Sequence, residues 1–117
     1  MMQAPDRPLQ LEIQEKGSCA VVRVTGSVSM SQADELRARL EELAEKKTPL
    51  MVLDLAEMDF ISSAGLGAII SAYLKSRHHS GQVRLVCPQP AVRKLLETTR
   101  LTKLFPLHGS VEQAVSA

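Results

Sequence analysis

The chain has 117 residues and a formal net charge of +1, and 44% of its residues are apolar. This length suits one domain with a core of its own. The near-neutral charge argues against a dedicated nucleic-acid binder, which is usually clearly basic. No apolar run approaches the ~20 residues of a membrane span, and the N-terminus lacks the apolar core of a signal peptide. We therefore expect a cytoplasmic protein with no membrane insertion.

The first part of the chain predicts a loose arm followed by a hairpin. Residues 1–8 carry two prolines and few apolar side chains, so we expect an arm outside a domain that spans residues 9–117. Apolar and polar residues alternate over 9–14, as in a half-exposed edge strand, and a valine-rich strand follows over 19–25. The short turn between them predicts antiparallel pairing. Gly26 is expected to end the second strand and to open a loop that reaches residue 30.

A helix and a buried strand are predicted next. Ser31 begins the helix, with Asp34 completing a variant of the capping box, and 48–49 (Thr-Pro) ends it. Its apolar stripe comprises Ala33, Leu36, Leu40, Leu43 and Ala44. The run 51–55 is apolar except for Asp54, which is typical of a strand covered on both faces. A tight turn is expected between this strand and Ser62.

The remaining elements continue the alternation of helix and strand. A helix is predicted from Ser63 to about His79, with Gly81 after its end, followed by a strand over 83–87. Pro90 opens the next helix, and an edge strand follows over 104–107. Gly109-Ser110 caps a last helix together with Gln113, and the residues of this helix that face inward are Val111, Ala114 and Val115. Strands joined through helices must be parallel. The predicted fold class is therefore α/β, a single domain with a mixed, mostly parallel sheet of about five strands and about four helices.

The two cysteines are expected to be free thiols. Cys19 and Cys87 each lie in a predicted strand with apolar neighbours. Two cysteines without a secretory signal do not form a disulfide framework, so we expect both to be buried and reduced.

No pattern of catalytic or metal-binding residues stands out. The three histidines lack metal-ligand spacing, neither cysteine belongs to a C-x-x-C motif, and there is no phosphate-binding G-x-x-x-x-G-K-[ST] sequence. Asp54, Glu57 and Asp59 are close in sequence, but we expect them to be solvated acids. The sequence thus predicts no enzyme activity, no metal and no cofactor.

Two adjacent serines mark the start of the central helix. The first amides of a helix have no intrahelical partner, so a serine oxygen caps well there, and a phosphate would meet a favourable dipole. One serine suffices as a cap: if Ser62 caps the amide of residue 64 or 65, Ser63 occupies the first helical position with its hydroxyl turned outward. Gly65 and Gly67 are poor helix formers, which is expected if another backbone approaches closely there. Spacing alone permits both capping and modification.

The chain resembles the STAS domain family, and in particular the bacterial anti-sigma factor antagonists. The resemblance lies in Val52-Leu-Asp-Leu55 followed by Asp59-Phe-Ile-Ser-Ser-Ala-Gly-Leu-Gly67, and it extends over nearly the whole chain. In that family the usual core is Asp-Ser-(Ser/Thr/Ala)-Gly-Leu with a phosphorylated serine, which corresponds to Ser63 here, with Ser62 as the second choice. Ser62 and Ser29 stand where family members often carry Asp.

The resemblance implies a partner switch in transcription regulation. The unphosphorylated protein would bind an anti-sigma factor that is a serine kinase of the histidine-kinase-like ATPase type, and so free a sigma factor. Phosphorylation would release the kinase, and a metal-dependent serine phosphatase would reset the switch. The implied partner-binding residues are Gly26, Ser27, Val28, Ser29, Met30, Asp59, Phe60, Ser62, Ser63, Ala64, Gly65, Leu66 and Gly67. Alternatives are a docking subunit of a lipid-transport ABC complex and a signalling scaffold; nucleotide binding, reported for some STAS domains, has no phosphate loop here to support it.

Overall fold

Six strands and four α-helices alternate along the part of the chain that a computed structural model describes, residues 7–86 and 88–116. In chain order they are β1 (Gln10–Lys16), β2 (Cys19–Val28), α1 (Met30–Glu45), β3 (Leu50–Asp54), β4 (Met58–Ile61), α2 (Ser63–Arg77), β5 (Gln82–Val86), α3 (Pro90–Thr98), β6 (Leu107–His108) and α4 (Val111–Ser116).

The sheet has the mixed topology that the sequence predicts. Its strand order is β1-β2-β3-β5-β6, with β1 antiparallel to β2 and the other neighbours parallel. Strand β4 lies off this path and pairs in parallel with the far end of β2. The turn predicted between the buried strand and Ser62 is therefore wrong in part, because β4 lies there.

Both faces of the central strands are covered. Met51 and Leu53 of β3 belong to the main core together with the apolar stripe of α1 and the buried side of α2. Val52 points the other way and packs with Val86 of β5 and Ala114 of α4. Because successive side chains of a strand point to opposite faces, this arrangement explains the continuous apolar run in β3.

Strand β2 is longer than predicted, because it passes from one partner strand to another. Its residues 19–23 pair with β3, and its residues 26–28 pair with β4, with a register shift between Gly26 and Ser27 inside this second pairing. The predicted loop over residues 27–30 is therefore wrong. Only Ser29 separates β2 from α1.

The start of α1 also differs from the prediction. Ser29, not Ser31, is the N-cap residue, because β2 remains extended until Val28. The Ser29 amide and hydroxyl both donate to Gln32 Oε1, at 3.3 and 2.9 Å. Gln32, not Asp34, thus occupies the N3 position of the capping box, three residues after the N-cap.

Three further expectations in the second half of the chain are wrong. Gly81 is not the left-handed residue expected after the end of α2, because that conformation belongs to Ser80 (φ 64°). The Gly81 amide does donate to the Ser76 carbonyl at 2.7 Å. In place of a strand over 104–107, a 3₁₀ turn spans Leu101–Lys103, and β6 is only two residues long. Val115 is 44% exposed and does not face inward.

The last helix is capped as predicted. The Ser110 hydroxyl accepts from the Gln113 amide at 3.1 Å, and Gln113 Oε1 accepts from the Gly109 amide at 3.0 Å.

Cys19 is a free thiol, but it is only half-buried. This burial raises its pKa, although the positive charges of Arg84 and Lys16 act in the opposite direction. Cys87 and residues 1–6 lie outside the described residues. No helix within the described residues has both the length and the apolarity that crossing a bilayer requires.

The predicted loose arm does not include Arg7 and Pro8, which lie against Gly26. The Ser27 amide donates to the Arg7 carbonyl at 3.1 Å. Gly26 has φ +92°, and a Cβ added to it would lie 2.3 Å from the Pro8 carbonyl oxygen. Both the backbone conformation and the close approach therefore require glycine.

We expect Gly26→Ala to destabilise the fold more than Gly17→Ala. Gly17 also has a positive φ (+60°), but a Cβ there would meet nothing within 4 Å. Gly17→Ala should lower the free energy of unfolding by about 1–2 kcal/mol through backbone strain alone. Gly26→Ala should cost about 1–3 kcal/mol more, because residues 7–8 must also move. Chemical denaturation measures both, and equal losses would contradict this account of Gly26.

Candidate functional site at the mouths of two helices

The predicted site residues converge where two strand ends meet two helix N-termini. Val28, the last residue of β2, pairs with Ile61, the last residue of β4. The Ser62 amide donates to the Val28 carbonyl at 2.8 Å, which ties the connection into α2 to the connection into α1. The structure thus brings together the segment 28–30 and the segment 59–67, which are some thirty residues apart in sequence.

Ser62 has the capping geometry that the sequence predicts. Its backbone is extended (φ −81°, ψ 170°), and its hydroxyl oxygen accepts from the Gly65 amide at 3.1 Å. Its carbonyl accepts from the Leu66 amide at 2.9 Å, and its side chain is half-buried. The Ser62 hydroxyl therefore satisfies one of the unpaired amides of the helix.

Ser63 is the first residue of α2, and it is exposed. The first turn of this helix contains no acidic side chain, so the partial positive charge of the helix N-terminus is not offset there. The two serines thus differ in environment: one is a cap, and its neighbour presents a hydroxyl to solvent beside a dipole that favours an anion.

Gly65 allows the first turn of α2 to pack closely on the ends of β2 and β4. A Cβ at Gly65 would lie 2.7 Å from Ile61 Cγ1 and 2.8 Å from Val28 Cγ1, so the site is tightly packed, although the predicted approach of another backbone is wrong. The approaching atoms are side chains rather than backbone. At Gly67 the expectation is wrong, because an added Cβ would meet only Arg37 Nη2, at an ordinary 3.8 Å.

Two large apolar side chains are exposed on the segments that carry the serines. Met30, the first residue of α1, is 74% exposed, and Phe60 in β4 is 51% exposed. Phe60 also borders a groove of ≈ 270 Å³ between β4 and α3, whose other lining residues are Asp59, Ile61, Ala91, Val92 and Leu95. Exposed apolar side chains of this size are typical of contact surfaces when they are grouped.

The remaining predicted partner contacts are not equally accessible. Five of them are buried in the chain: Gly26, Ser27, Val28, Gly65 and Leu66. Ala64 and Gly67 are intermediate, as is Ser29. Partner binding by any of these residues stays a prediction, and the buried ones can act only by supporting the surface from beneath.

Asp59 is neither in a turn nor free. It lies in β4, and its carboxylate accepts two hydrogen bonds from the Arg7 guanidinium, from Nε at 2.6 Å and from Nη2 at 2.9 Å. Arg7 Nη2 also donates to the Glu57 carbonyl at 2.8 Å. The hydrogen-bonded guanidinium lowers the pKa of Asp59, and the carboxylate raises the pKa of Arg7. Local sequence patterns gave no signal for a pair 52 residues apart.

The acidic residues near the site do not form a metal centre. The Asp54 carboxylate accepts from the Ala56 amide at 3.1 Å, whereas Asp59 pairs with Arg7. Within residues 7–86 and 88–116, no group of three or more histidine, cysteine, aspartate or glutamate side chains is placed to hold a metal ion.

Comparison with known proteins identifies the family. The model of the STAS domain matches residues 10–114, and the chain therefore belongs to the STAS domain family. A relative from Paenibacillus polymyxa, named anti-sigma F factor antagonist, is 26% identical over 109 residues, which cover 92% of this chain and 93% of the relative.

Solved structures show the same fold. The crystal structure of an anti-sigma factor antagonist from Mycobacterium paratuberculosis superposes with a TM-score of 0.85 at 28% identity, covering 98% of this chain and 97% of that one. The anti-sigma factor antagonist SpoIIAA in its unphosphorylated form gives a TM-score of 0.80 at 20% identity, covering 93% and 94%. The predicted α/β class and STAS-type single domain are confirmed, with six strands rather than about five.

The Asp59 carboxyl should titrate at lower pH in the unmodified chain than in Arg7→Ala. Because its pKa is lowered on folding, the pair stabilises the fold above the unfolded pKa of ~3.9, and this contribution is lost as the pH falls through the folded pKa. Carboxyl-carbon NMR measures the midpoint directly. Lys46→Ala, which breaks a comparably exposed pair with Glu15, serves as the control and should leave the Asp59 midpoint unchanged. The same midpoint in the unmodified chain and in Arg7→Ala would contradict the pairing.

Proposed function

We propose that the chain is an anti-sigma factor antagonist whose partner switch is Ser63. In the unphosphorylated state it binds an anti-sigma factor that is a serine kinase of the histidine-kinase-like ATPase type, and the sigma factor is freed. The kinase then phosphorylates Ser63 and dissociates, and a metal-dependent serine phosphatase restores the serine. The observation that carries the proposal is the division between the two serines: Ser62 caps the helix, whereas Ser63 is exposed at its first position.

The relatives support the class of partner. A family member at 28% identity and a relative at 26% identity, each covered over more than nine tenths of its length, are both anti-sigma factor antagonists by name. The phosphoryl transfer itself requires little of this chain. The Ser63 oxygen attacks the γ-phosphorus of ATP held by the kinase, its proton passes to a base or to solvent, and ADP leaves.

The same phosphate has opposite effects on the fold and on the complex. It adds about −1.5 to −2 charges at pH 7. In the free chain this charge faces the N-terminus of α2, where the dipole and the exposed amides favour it. In a complex that covers Met30 and Phe60, the phosphate would leave water beside apolar side chains, which costs free energy unless the partner pairs it. The switch therefore needs no refolding.

We expect one phosphate on the unmodified chain and none on Ser63→Ala after incubation with the kinase and ATP–Mg²⁺, because only Ser63 presents a free hydroxyl at the helix mouth. Intact-mass analysis measures this. Ser62→Ala is the matched control: it should still accept one phosphate, while losing about 1 kcal/mol of stability with the cap. Phosphate on Ser63→Ala, or none on a folded Ser62→Ala, would contradict the assignment.

The kinase is obtained by affinity copurification with the tagged chain, and this step tests the wider proposal. An ATPase of the histidine-kinase-like type that binds Ser63→Ala more persistently than the unmodified chain in the presence of ATP is the expected result. Capture of an ABC-type ATPase instead would favour the docking role in lipid transport and would overturn the switch.

A further inference from the structure

We propose that Arg7 is a positioning residue for the Ser63 site, and that it acts through Asp59 and strand β4. Its link to partner binding rests on the proposed function, whereas its link to the geometry of the helix mouth does not. Three observations support this role: β4 has one sheet neighbour in the part of the chain that the structure describes, Arg7 hydrogen-bonds to both β4 and β2, and β4 continues directly into the cap of α2.

Strand β4 has fewer sheet neighbours than the central strands β2, β3 and β5. It is four residues long, and within the described residues its one sheet neighbour is the end of β2. Met58 and Ile61 anchor its ends in the core, but Asp59 and Phe60 between them are exposed. A strand this short, with a ladder on one side, is held weakly by its sheet contacts alone.

The Arg7 side chain supplies contacts on β4 beyond that ladder. Two of its hydrogen bonds form a bidentate pair with the Asp59 carboxylate, and the third reaches the Glu57 carbonyl just before the strand. The planar guanidinium fits a carboxylate in this forked geometry, which lysine cannot reproduce.

The Arg7 backbone is held by β2 at the same point. Its carbonyl accepts from the Ser27 amide, and residues 7–8 pass directly over Gly26, where β2 exchanges β3 for β4 as its partner. Residues 7–8 therefore bridge the irregular crossing between β2 and β4. These are the two strands whose ends lead into α1 and α2.

A shift of β4 would also move Ser63, because only Ser62 separates the end of β4 from the start of α2. Ile61 ends β4, Ser62 caps α2, and Ser63 follows as the first helical residue. Pairing with Arg7 also offsets the charge of the Asp59 carboxylate, which lies next to the exposed Phe60. Without Arg7, the proposed complex would have to desolvate an unpaired carboxylate even when Ser63 is unphosphorylated, which would weaken binding.

The test is a double-mutant cycle on Arg7→Ala and Asp59→Ala, with amide hydrogen exchange as the readout. The reporters are the Ser62 amide, bonded to the Val28 carbonyl, and the Gly65 amide, bonded to the Ser62 hydroxyl. We expect each single variant to speed exchange at both by roughly twofold to fivefold, the upper part of the range for an exposed ion pair. The double variant should match Arg7→Ala, because Asp59 acts through Arg7.

Two controls separate positioning from general loss of stability. The Gln82 amide is bonded to the Pro49 carbonyl at the N-terminal edge of β3 and β5, whereas Ser63 lies beyond the C-terminal end of β2, so this amide should exchange unchanged in all variants. Lys46→Ala should leave the Ser62 and Gly65 amides unchanged. The proposal is overturned by unchanged exchange at those amides in Arg7→Ala, by equal acceleration at Gln82, or by additive effects in the double variant.

Affinity for the copurified anti-sigma factor is the second readout. Arg7→Ala should weaken binding by roughly twofold to fivefold, and Lys46→Ala should not change it. If the unmodified chain binds no anti-sigma factor, the proposed function fails, while the exchange data still decide whether Arg7 positions the helix mouth. Normal binding by Arg7→Ala together with accelerated exchange would overturn the link between the two.

Discussion

The pairing of β4 with the last three residues of β2 is the constraint on which the site depends. Helices α1 and α2 also pack against each other, as the hydrogen bond from the Ser71 hydroxyl to Glu41 Oε2 at 2.7 Å shows, but the strand pairing fixes the position of their N-termini at the strand ends. The Val28 carbonyl that accepts from the Ser62 amide closes this arrangement, and Gly65 lets both Val28 and Ile61 pack beneath the helix mouth. The proposed modification site at the start of α2 is thereby attached to the main core through two strands.

The helix mouth combines two roles that a single serine could not serve equally well. A hydroxyl that accepts from the Gly65 amide is engaged in capping, and modifying it would remove a cap that contributes about 1 kcal/mol. Placing the acceptor hydroxyl one residue later leaves that cap intact. Under the proposed function, the fold would then tolerate a phosphate on Ser63, which would add about −1.5 to −2 charges to the exposed start of α2 at pH 7.

Much of the fold follows from local patterns, and the errors occur where long-range contacts decide. Alternation in β1, the apolar run of β3 and the stripe of α1 all report burial on a regular element, so their faces were predicted correctly. Strand β4 was missed because its buried residues are at its two ends, without alternation. The cap at Ser62 and the start of α2 at Ser63 follow from the sequence because capping is local, whereas the Arg7–Asp59 pair depends on the fold bringing together residues 52 apart.

The most direct measurement of the central claim is the affinity of the anti-sigma factor for two forms of the chain, one with serine and one with phosphoserine installed at position 63. Calorimetry on both forms, with circular dichroism to show that both are folded, isolates the effect of the phosphate on binding. The account predicts that the phosphorylated form binds at least about 100-fold more weakly, the equivalent of an unpaired charge desolvated at the interface. Equal affinities of two folded forms would contradict it.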